Sequence, residues 1–235
     1  MSPDIDSSVT EGDASTDGSG DGSVAQDTGS GLHDTGAPVD TGLADTGDTG
    51  AAEDAPSDVV ANDAPVSDSG CPGHGTTGAL VTYVLTSEPG GEASVPATTA
   101  VTGVTGGALT RSSVLTASSG AGSINSSGWG TGATFDATKY YTFKVTPAAG
   151  CSVSLTKLAL DVKASATGPT KGDVATSADA FGTHGASFTG TSTPAVTLSA
   201  SGSGAIEVRV YGYAASASGG TFRIQNTVTL SGTIN

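Results

Sequence analysis

A strict alternation of apolar and polar residues is clearest in residues 139–147, "KYYTFKVTP". Tyr141, Phe143 and Val145 share one side of an extended chain, and the residues between them share the other side. Because successive side chains of a β-strand point to opposite faces, this segment predicts a strand with one buried face.

From Ala79 onward the same pattern recurs in short runs separated by Gly, Ser and Thr clusters, and no run keeps a helical period. The pattern predicts at least seven strands, and we expect the last two to be neighbours. They cover residues 80–86, 109–117, 139–147, 151–164, 195–200, 204–213 and 220–234. The predicted fold class is all-β, a jelly-roll-like two-sheet β-sandwich.

One irregularity is visible within residues 151–164, "CSVSLTKLALDVKA". Val153 and Leu155 share one parity, whereas Leu158 and the next two alternate apolar residues share the other. The slip of one residue falls at Thr156 and Lys157. It predicts a bulge or a tight turn at that point.

Acidic and aromatic residues divide the chain near residue 70. Residues 1–70 hold 16 of the 23 acidic residues and no Lys or Arg, whereas residues 71–235 hold 7 acidic and all 8 basic residues. Every aromatic residue lies between Tyr83 and Phe222. A segment without aromatics and with unbalanced charge cannot bury enough apolar surface to offset the entropy of ordering it. The composition therefore predicts a disordered acidic tether over residues 1–72 and a β-sandwich domain over residues 73–235.

The predicted tether contains five copies of Asp-Thr-Gly, which resemble the sequence around the catalytic aspartate of aspartic proteases. The copies begin at Asp27, Asp34, Asp40, Asp45 and Asp48. A protease needs two aspartates that share a proton in a buried dyad, each held by hydrophobic strands. No apolar strand flanks these copies, so we interpret them as solvent-facing charges. The strong negative charge also argues against a nucleic-acid partner.

Residues that could bind a metal are few. The run "DASTDGSGDG" at residues 13–22 lacks the ligand spacing of an EF-hand loop, and Cys71 with His74 supplies only two of the four ligands of a zinc site. We expect His33, His74 and His184 to lie in exposed loops. The sequence predicts no metal site, no cofactor and no catalytic residues.

Cys71 and Cys151 are the only cysteines in the chain. Two cysteines in an exported protein most simply form a disulfide. Such a bridge would join the end of the tether to the sandwich. The alternative is two unpaired thiols, one of them buried in a sheet.

Residues 110–235 resemble a β-sandwich domain common in exported bacterial proteins, including many that end in PEP-CTERM-type sorting tails. The resemblance rests on "YYTFKVTPAAGCSVSLTKLALDVKASATGPT" and on "VRVYGYAASASGGTFRIQN". Three departures stand out: Gln225 replaces the usual Asp and Thr227 is extra, Cys151 replaces an aromatic or aliphatic residue, and no hydrophobic sorting tail follows the last strand. The resemblance implies an extracytoplasmic module, at the cell surface or secreted, that is not an enzyme.

Attachment to the cell is expected at the other end of the chain. Residues 1–20 are polar and acidic, so they contain neither a signal peptide nor a transmembrane segment. We therefore expect the chain to follow a removed export signal or a lipidated cysteine.

Three aromatic residues are candidates for ligand binding. Trp129 lies between glycines in "SSGWGTG", where a loop could present its ring to a sugar, and Tyr211 and Tyr213 have outward parity in "VRVYGY". The alternative is that Trp129 packs at the edge of the sandwich and that the tyrosines pack under the following loop.

These observations predict a non-enzymatic exported cell-surface protein that presents a β-sandwich module on an acidic stalk. The module would serve adhesion or bind a glycan or envelope polymer. Two alternatives stay open: a self-assembling surface-layer or fibre component, and an accessory, carbohydrate-binding-like module of a hydrolase system.

Overall fold

The structure, a computed structural model, describes residues 70–235. The predicted tether up to residue 69, with its Asp-Thr-Gly copies and His33, lies outside the described residues. Apart from one short 3-10 helix at Ser177–Asp179, the regular secondary structure of the described part consists of strands. The strands are β1 (Thr77–Val84), β2 (Ser94–Val95), β3 (Thr99–Ala100), β4 (Val104–Gly106), β5 (Leu109–Arg111), β6 (Thr116–Ala117), β7 (Ser123–Ser127), β8 (Tyr140–Pro147), β9 (Val153–Ala164), β10 (Pro169–Thr176), β11 (Phe188–Thr189), β12 (Ala195–Gly202), β13 (Ile206–Ala215) and β14 (Phe222–Ile234).

The strands form two antiparallel sheets that pack face to face, which confirms the predicted fold class. Sheet A has the order β12-β9-β14-β1-β3, with β7 also paired to β14 and β6 paired to β7. Sheet B has the order β11-β10-β13-β8-β5-β2, with β4 also paired to β8. Each sheet buries one face against the other, as alternating strands require.

The topology is that of a jelly roll. Strand β1 and strands β8 to β14 follow the order β1-β14-β9-β12 in sheet A and β8-β13-β10-β11 in sheet B. Two interlocked Greek keys give this arrangement of eight strands. The short strands β2 to β7 are an insertion between the first and second strands of the jelly roll, and they extend both sheets.

The core lies between the sheets and contains the apolar residues that the alternation predicts. Tyr141, Phe143 and Val145 of β8 are buried, as are Val208 and Leu230 on the long strands that follow. Two buried hydroxyls reach backbone acceptors: the Tyr83 hydroxyl donates to the Gly107 carbonyl at 2.6 Å, and the Tyr141 hydroxyl donates to the Phe222 carbonyl at 2.5 Å. These bonds satisfy polar groups that would be costly to bury alone.

The predicted irregularity in β9 is a β-bulge. In the pairing of β9 with β14, Lys157 is opposite Ser231 and Leu155 is opposite Gly232, so Thr156 has no partner residue. The extra residue reverses the parity, and Val153, Leu155 and the apolar residues after the bulge all face the core. Strand β9 therefore runs unbroken for 12 residues.

Two predictions about strand arrangement were wrong. The segment 109–117 is not one strand: it forms β5 in sheet B and β6 in sheet A, because the chain crosses between the sheets. The segments 204–213 and 220–234 become β13 and β14, which lie in different sheets and do not pair. Alternation shows that a strand buries one face. It does not show whether the next strand lies beside it or across the core.

Candidate functional site

A disulfide joins the start of the described chain to the connection between β8 and β9. Cys71 and Cys151 are linked with an S–S distance of 2.07 Å and a Cα–Cα distance of 4.8 Å. Both residues are buried and belong to the hydrophobic core. The bridge therefore fixes the chain just before β1 to the connection between β8 and β9.

Trp129, the first candidate for ligand binding, is a core residue. Its side chain is only 1% exposed, and its ring lies 5.3 Å from the rings of both Tyr141 and Phe222. The indole N–H donates to the carbonyl of Ser126 at 2.8 Å, so the polar edge is satisfied inside the protein. The ring is not available to stack on a sugar, which corrects the expectation that a glycine-flanked loop would expose it.

Tyr211 and Tyr213 do point away from the core, as their parity predicts, but loops cover them. Tyr211 is 1% exposed and Tyr213 is 8% exposed. The ring of Phe135 lies 4.9 Å from that of Tyr211 and 6.5 Å from that of Tyr213, and His184 lies 5.5 Å from Tyr211. Burial raises the pKa of both tyrosines. Neither ring forms an exposed surface patch.

The outer face of sheet B nevertheless carries a mostly half-buried group of polar and aromatic side chains, which we call the Glu207 cluster. Its members come from β8, β13 and the loop after β10. They are Tyr140, Thr142, Lys144, Phe181, Glu207 and Arg209. Because β8 and β13 are paired in register, with Lys144 opposite Glu207 and Thr142 opposite Arg209, their outward side chains meet on one face.

Glu207 is at the centre of this cluster. One carboxylate oxygen accepts hydrogen bonds from Arg209 Nε at 2.7 Å and from the Thr142 hydroxyl at 3.1 Å. The other oxygen lies 3.9 Å from Lys144 Nζ. The Glu207 backbone N–H donates to the Ser177 hydroxyl at 2.8 Å, which anchors the strand to the 3-10 helix. The carboxylate is therefore held in place by charge-assisted hydrogen bonds while part of it still faces solvent.

The guanidinium of Arg209 lies between two aromatic rings. Its central carbon is 4.1 Å from the centre of the Tyr140 ring and 3.8 Å from the centre of the Phe181 ring. Cation–π contacts of this kind hold a planar cation and its neighbouring rings in fixed orientations. Tyr140 and Phe181 thus hold the guanidinium that donates to the Glu207 carboxylate.

A groove of about 310 Å³ opens next to Glu207. Its polar lining comes from Thr110, Thr142, Lys144 and Glu207, and its apolar lining comes from Ala108 and its neighbours. The groove therefore offers hydroxyl, ammonium and carboxylate groups to a small polar ligand. Such a set can both donate and accept hydrogen bonds.

A second group on the same face, which we call the Asp173 cluster, is less accessible. It contains Asp173, His184, Phe135, Tyr211 and Tyr213. Asp173 is 8% exposed, and its Oδ2 lies 3.4 Å from His184 Nδ1, while its Oδ1 accepts a hydrogen bond from the Val174 N–H at 2.8 Å. The His184 ring stacks on Phe135 at 4.2 Å. His184 is therefore half-buried in this cluster, and the expectation of an exposed loop histidine was wrong.

Burial is the main influence on the ionisation of Asp173. Desolvation raises the pKa of this carboxyl group, and the hydrogen bond from Val174 and the neighbouring His184 oppose the increase only in part. His184 Nδ1 is itself buried and makes no well-formed hydrogen bond to any residue that the structure describes. The pair is therefore imperfectly satisfied when Asp173 is ionised.

We expect Asp173→Asn to stabilise the protein at neutral pH. Because the pKa of Asp173 is raised on folding, this carboxyl group stabilises the fold below its unfolded pKa, and this contribution is lost as pH rises through the folded pKa. The amide cannot ionise, keeps an acceptor for Val174 and can donate to His184. The gain at pH 7 should be about 0.5–1 kcal/mol, the net value of one hydrogen bond. Urea unfolding at pH 3.5 and pH 7 measures it.

The two proteins should be closer in stability at pH 3.5, where the raised pKa keeps the folded Asp173 carboxyl group largely neutral. If Asp173→Asn is less stable than the parent protein at pH 7, the ionised pair with His184 is net stabilising and the expectation is wrong.

A second cavity, of about 420 Å³, lies beside His184 between β10 and β12. Its lining includes Thr176, Asp179, Thr183, Thr197 and Ser199. Among residues 70–235 no group of three or more His, Cys, Asp or Glu side chains is placed to hold a metal ion. The same residues include no helix long and apolar enough to cross a membrane.

Comparisons with protein-family models, with curated proteins and with solved structures found no match to this chain. The proposal for its function therefore rests on the fold and on the geometry of the sheet B face.

The Glu207 cluster was only partly visible in the sequence. The outward parity of Tyr140, Thr142, Lys144, Glu207 and Arg209 follows from the alternation, but their meeting requires β8 and β13 to be paired. Phe181 lies outside the strands, so no alternation of residues predicts the position of its ring. Ala180 and Phe181 have positive φ angles of 57° and 62° after the 3-10 helix, and this left-handed turn lies where the Phe181 ring contacts Arg209.

Proposed function

We propose that residues 70–235 form a non-enzymatic binding module of an exported cell-surface protein, and that the module binds a glycan or a similar polyhydroxylated envelope polymer. In this proposal the acidic residues before it act as a stalk, and the ligand binds in the groove of the Glu207 cluster.

The arrangement of Glu207 carries the proposal. A fixed carboxylate beside a groove can accept hydrogen bonds from ligand hydroxyls, Lys144 can donate to ligand oxygens, and the hydroxyl oxygens of Thr110 and Thr142, which already donate within the protein, can accept. The rings of Tyr140 and Phe181 do not line the groove, but they hold Arg209, whose hydrogen bond fixes Glu207. Convergent polar groups in a groove are typical of sites that bind sugars and other small ligands.

The position of the carboxylates on this face favours binding rather than hydrolysis. Asp173 is opposite Tyr211 in the pairing of β10 with β13, four residues along the strand from Glu207. At about 3.4 Å per residue the two positions are roughly 14 Å apart, whereas a glycosidase needs its two carboxyl groups within about 5–9.5 Å. Neither cluster places a serine or threonine hydroxyl within a hydrogen bond of His184.

The disulfide supports export. Disulfides form and persist in oxidising compartments such as the bacterial periplasm and the cell surface, and they are rare in the cytosol. Its position also suits attachment through the N-terminal side, because a pull on the chain before Cys71 reaches the turn at Cys151 through a covalent bond. The backbone hydrogen bonds that pair β1 with β14 and β3 would then not carry that load alone.

We expect Glu207→Gln to weaken glycan binding by the full chain by at least about tenfold, which corresponds to about 1.4 kcal/mol. The amide loses the charge that Arg209 and Lys144 complement, and it has one acceptor oxygen instead of two. A glycan-array screen identifies ligands, and calorimetry with the best ligand measures the change.

Glu88→Gln provides a matched control, because Glu88 lies in the loop after β1 and belongs to neither cluster. It should bind as the parent protein does. The proposal fails if no glycan or envelope polymer binds, or if the two variants lose affinity equally.

A second candidate function, self-assembly, is favoured by one feature of sheet A. Strand β12 is an edge strand of eight residues, whereas the other outermost strands, β2, β3 and β11, have two residues each. A long edge leaves backbone N–H and C=O groups open to pairing with another chain. Light scattering over a range of concentrations tests this candidate, since a monomer at every concentration would exclude spontaneous assembly.

A further inference from the structure

The outer face of sheet A carries two basic residues that face each other across neighbouring strands. Lys163 of β9 and Arg223 of β14 are directly opposite in the register. Like charges in this arrangement repel and destabilise a sheet. None of the ion pairs among residues 70–235 includes either side chain, so no described carboxylate offsets the repulsion.

The nearest carboxylate on the same strand is already engaged. Asp161, two residues before Lys163, accepts hydrogen bonds from Gln225 Nε2 at 3.2 Å and from Asn226 Nδ2 at 2.5 Å, one on each oxygen. Both oxygens of Asp161 thus accept hydrogen bonds from amides of β14, and Asp161 forms no ion pair with either basic residue.

Arg223 shows a specific vacancy in its hydrogen bonding. Its Nε atom is buried, yet it has no hydrogen-bond partner among residues 70–235. A buried donor without an acceptor is unfavourable, and Asn125 Oδ1, on the residue opposite Arg223 in β7, is likewise buried and unpaired, so an oxyanion satisfies Nε only if the side chain turns toward the cavity.

The basic pair lines a small cavity of about 140 Å³ together with Ala164, Ser165 and Thr221. Each water in the liquid takes up about 30 Å³, so this space suits a group of a few atoms. The Ser165 hydroxyl oxygen accepts from the Thr221 N–H at 2.9 Å, which leaves its own proton free to be donated into the cavity. Lys163, Ser165 and Arg223 therefore offer three donors to one small space.

We propose that Lys163, Ser165 and Arg223 form a carboxylate-binding site, on the opposite sheet from the Glu207 cluster. Arg223 and Lys163 supply charge, and the hydroxyl of Ser165 supplies a neutral donor. A carboxylate-bearing ligand such as a uronic acid unit provides this chemistry.

Acetate is the simplest probe, and it is added to the full chain at low ionic strength. A second titration with sodium chloride at the same concentrations is the control for a nonspecific anion effect. The readout is the Nε–H NMR signal of Arg223, one of only three arginines with Arg111 and Arg209. Acetate should shift this signal saturably. Lys163→Gln should weaken the binding by about two- to fivefold, which corresponds to an exposed ion pair of roughly 0.4–1 kcal/mol.

Lys157→Gln is the matched control, because Lys157 lies on β9 too but does not line the cavity. It should leave acetate binding unchanged. The proposal is overturned if the shift does not saturate, if chloride reproduces it, or if the Lys157 and Lys163 variants behave alike.

Discussion

Replacing both Cys71 and Cys151 with Ala is expected to lower the free energy of unfolding by about 4–5 kcal/mol. The bridge closes a loop with a sequence separation of 80 residues, from the start of the described chain to the connection after β8. Closing so long a loop removes much of the conformational entropy of the unfolded chain, and the chain-entropy relation gives a value in this range. Chemical denaturation of the double variant measures the loss.

The parent protein treated with a reductant should lose about as much stability as the double variant. Since each kcal/mol shifts the melting temperature of a domain of this size by roughly 2–4 °C, the melting temperature should fall by about 10–15 °C. If both the reduced protein and the variant stay within about 1 kcal/mol of the oxidised protein, the loop is held by other contacts and the expectation is wrong.

Trp129→Ala is expected to cost about 3–5 kcal/mol of stability, the usual range for removing a large buried aromatic. The substitution empties a fully buried site between Tyr141 and Phe222 and leaves the Ser126 carbonyl without its indole donor. Gly212 also packs closely here, since a Cβ atom on it would lie 3.1 Å from the Trp129 ring. Urea unfolding followed by circular dichroism measures the change.

Tyr140→Ala is the informative comparison, because Tyr140 is also aromatic but lies on the outer face of sheet B beside Arg209. It should cost less than about 1.5 kcal/mol, mainly the contact with the guanidinium. Ligand binding should respond in the opposite order: Tyr140→Ala should weaken glycan binding, whereas Trp129→Ala should leave the affinity of the folded fraction unchanged. An equal loss of stability in the two variants would contradict the assignment of Trp129 to the core.

The ionisable groups of the two sheets define two different chemical surfaces. Sheet B presents a fixed carboxylate flanked by rings and hydroxyls, which suits neutral polyhydroxylated ligands. Sheet A presents Lys163 and Arg223 without a close described counter-ion, which suits a carboxylate. Under the two proposals, an acidic glycan could engage both surfaces only by passing around the edge of the sandwich. A monomeric neutral sugar would engage the first alone.

The sequence predicted the side chains of the core well because a strand that buries one face shows an alternation of apolar and polar residues. Tyr141, Phe143 and Val145 alternate with polar neighbours, and all three are buried. The bulge at Thr156 was also visible, because an extra residue must shift the parity of every residue after it. These features depend on local geometry alone.

The partners of each strand could not be predicted in the same way. Strands β13 and β14 show the same alternation, yet one belongs to sheet B and the other to sheet A. Strands β5 and β6 were predicted as a single strand for the same reason. A chain that crosses from one sheet to the other keeps its apolar residues in the core, so the sequence pattern does not show the crossing. The jelly-roll order depends on contacts between strands that are far apart in sequence.

The candidate sites follow the same division. The sequence by itself located six of the seven strands of eight or more residues and their buried faces, where charge is concentrated and that only two cysteines were available to pair, but it did not predict β7 or β10. Only the tertiary structure decided that Trp129 lies in the core, that loops cover Tyr211 and Tyr213, and that Glu207 meets Thr142 and Lys144 across more than 60 residues of chain. The physical reason is that alternation reports the environment of one strand, whereas a binding site is formed by the register between strands.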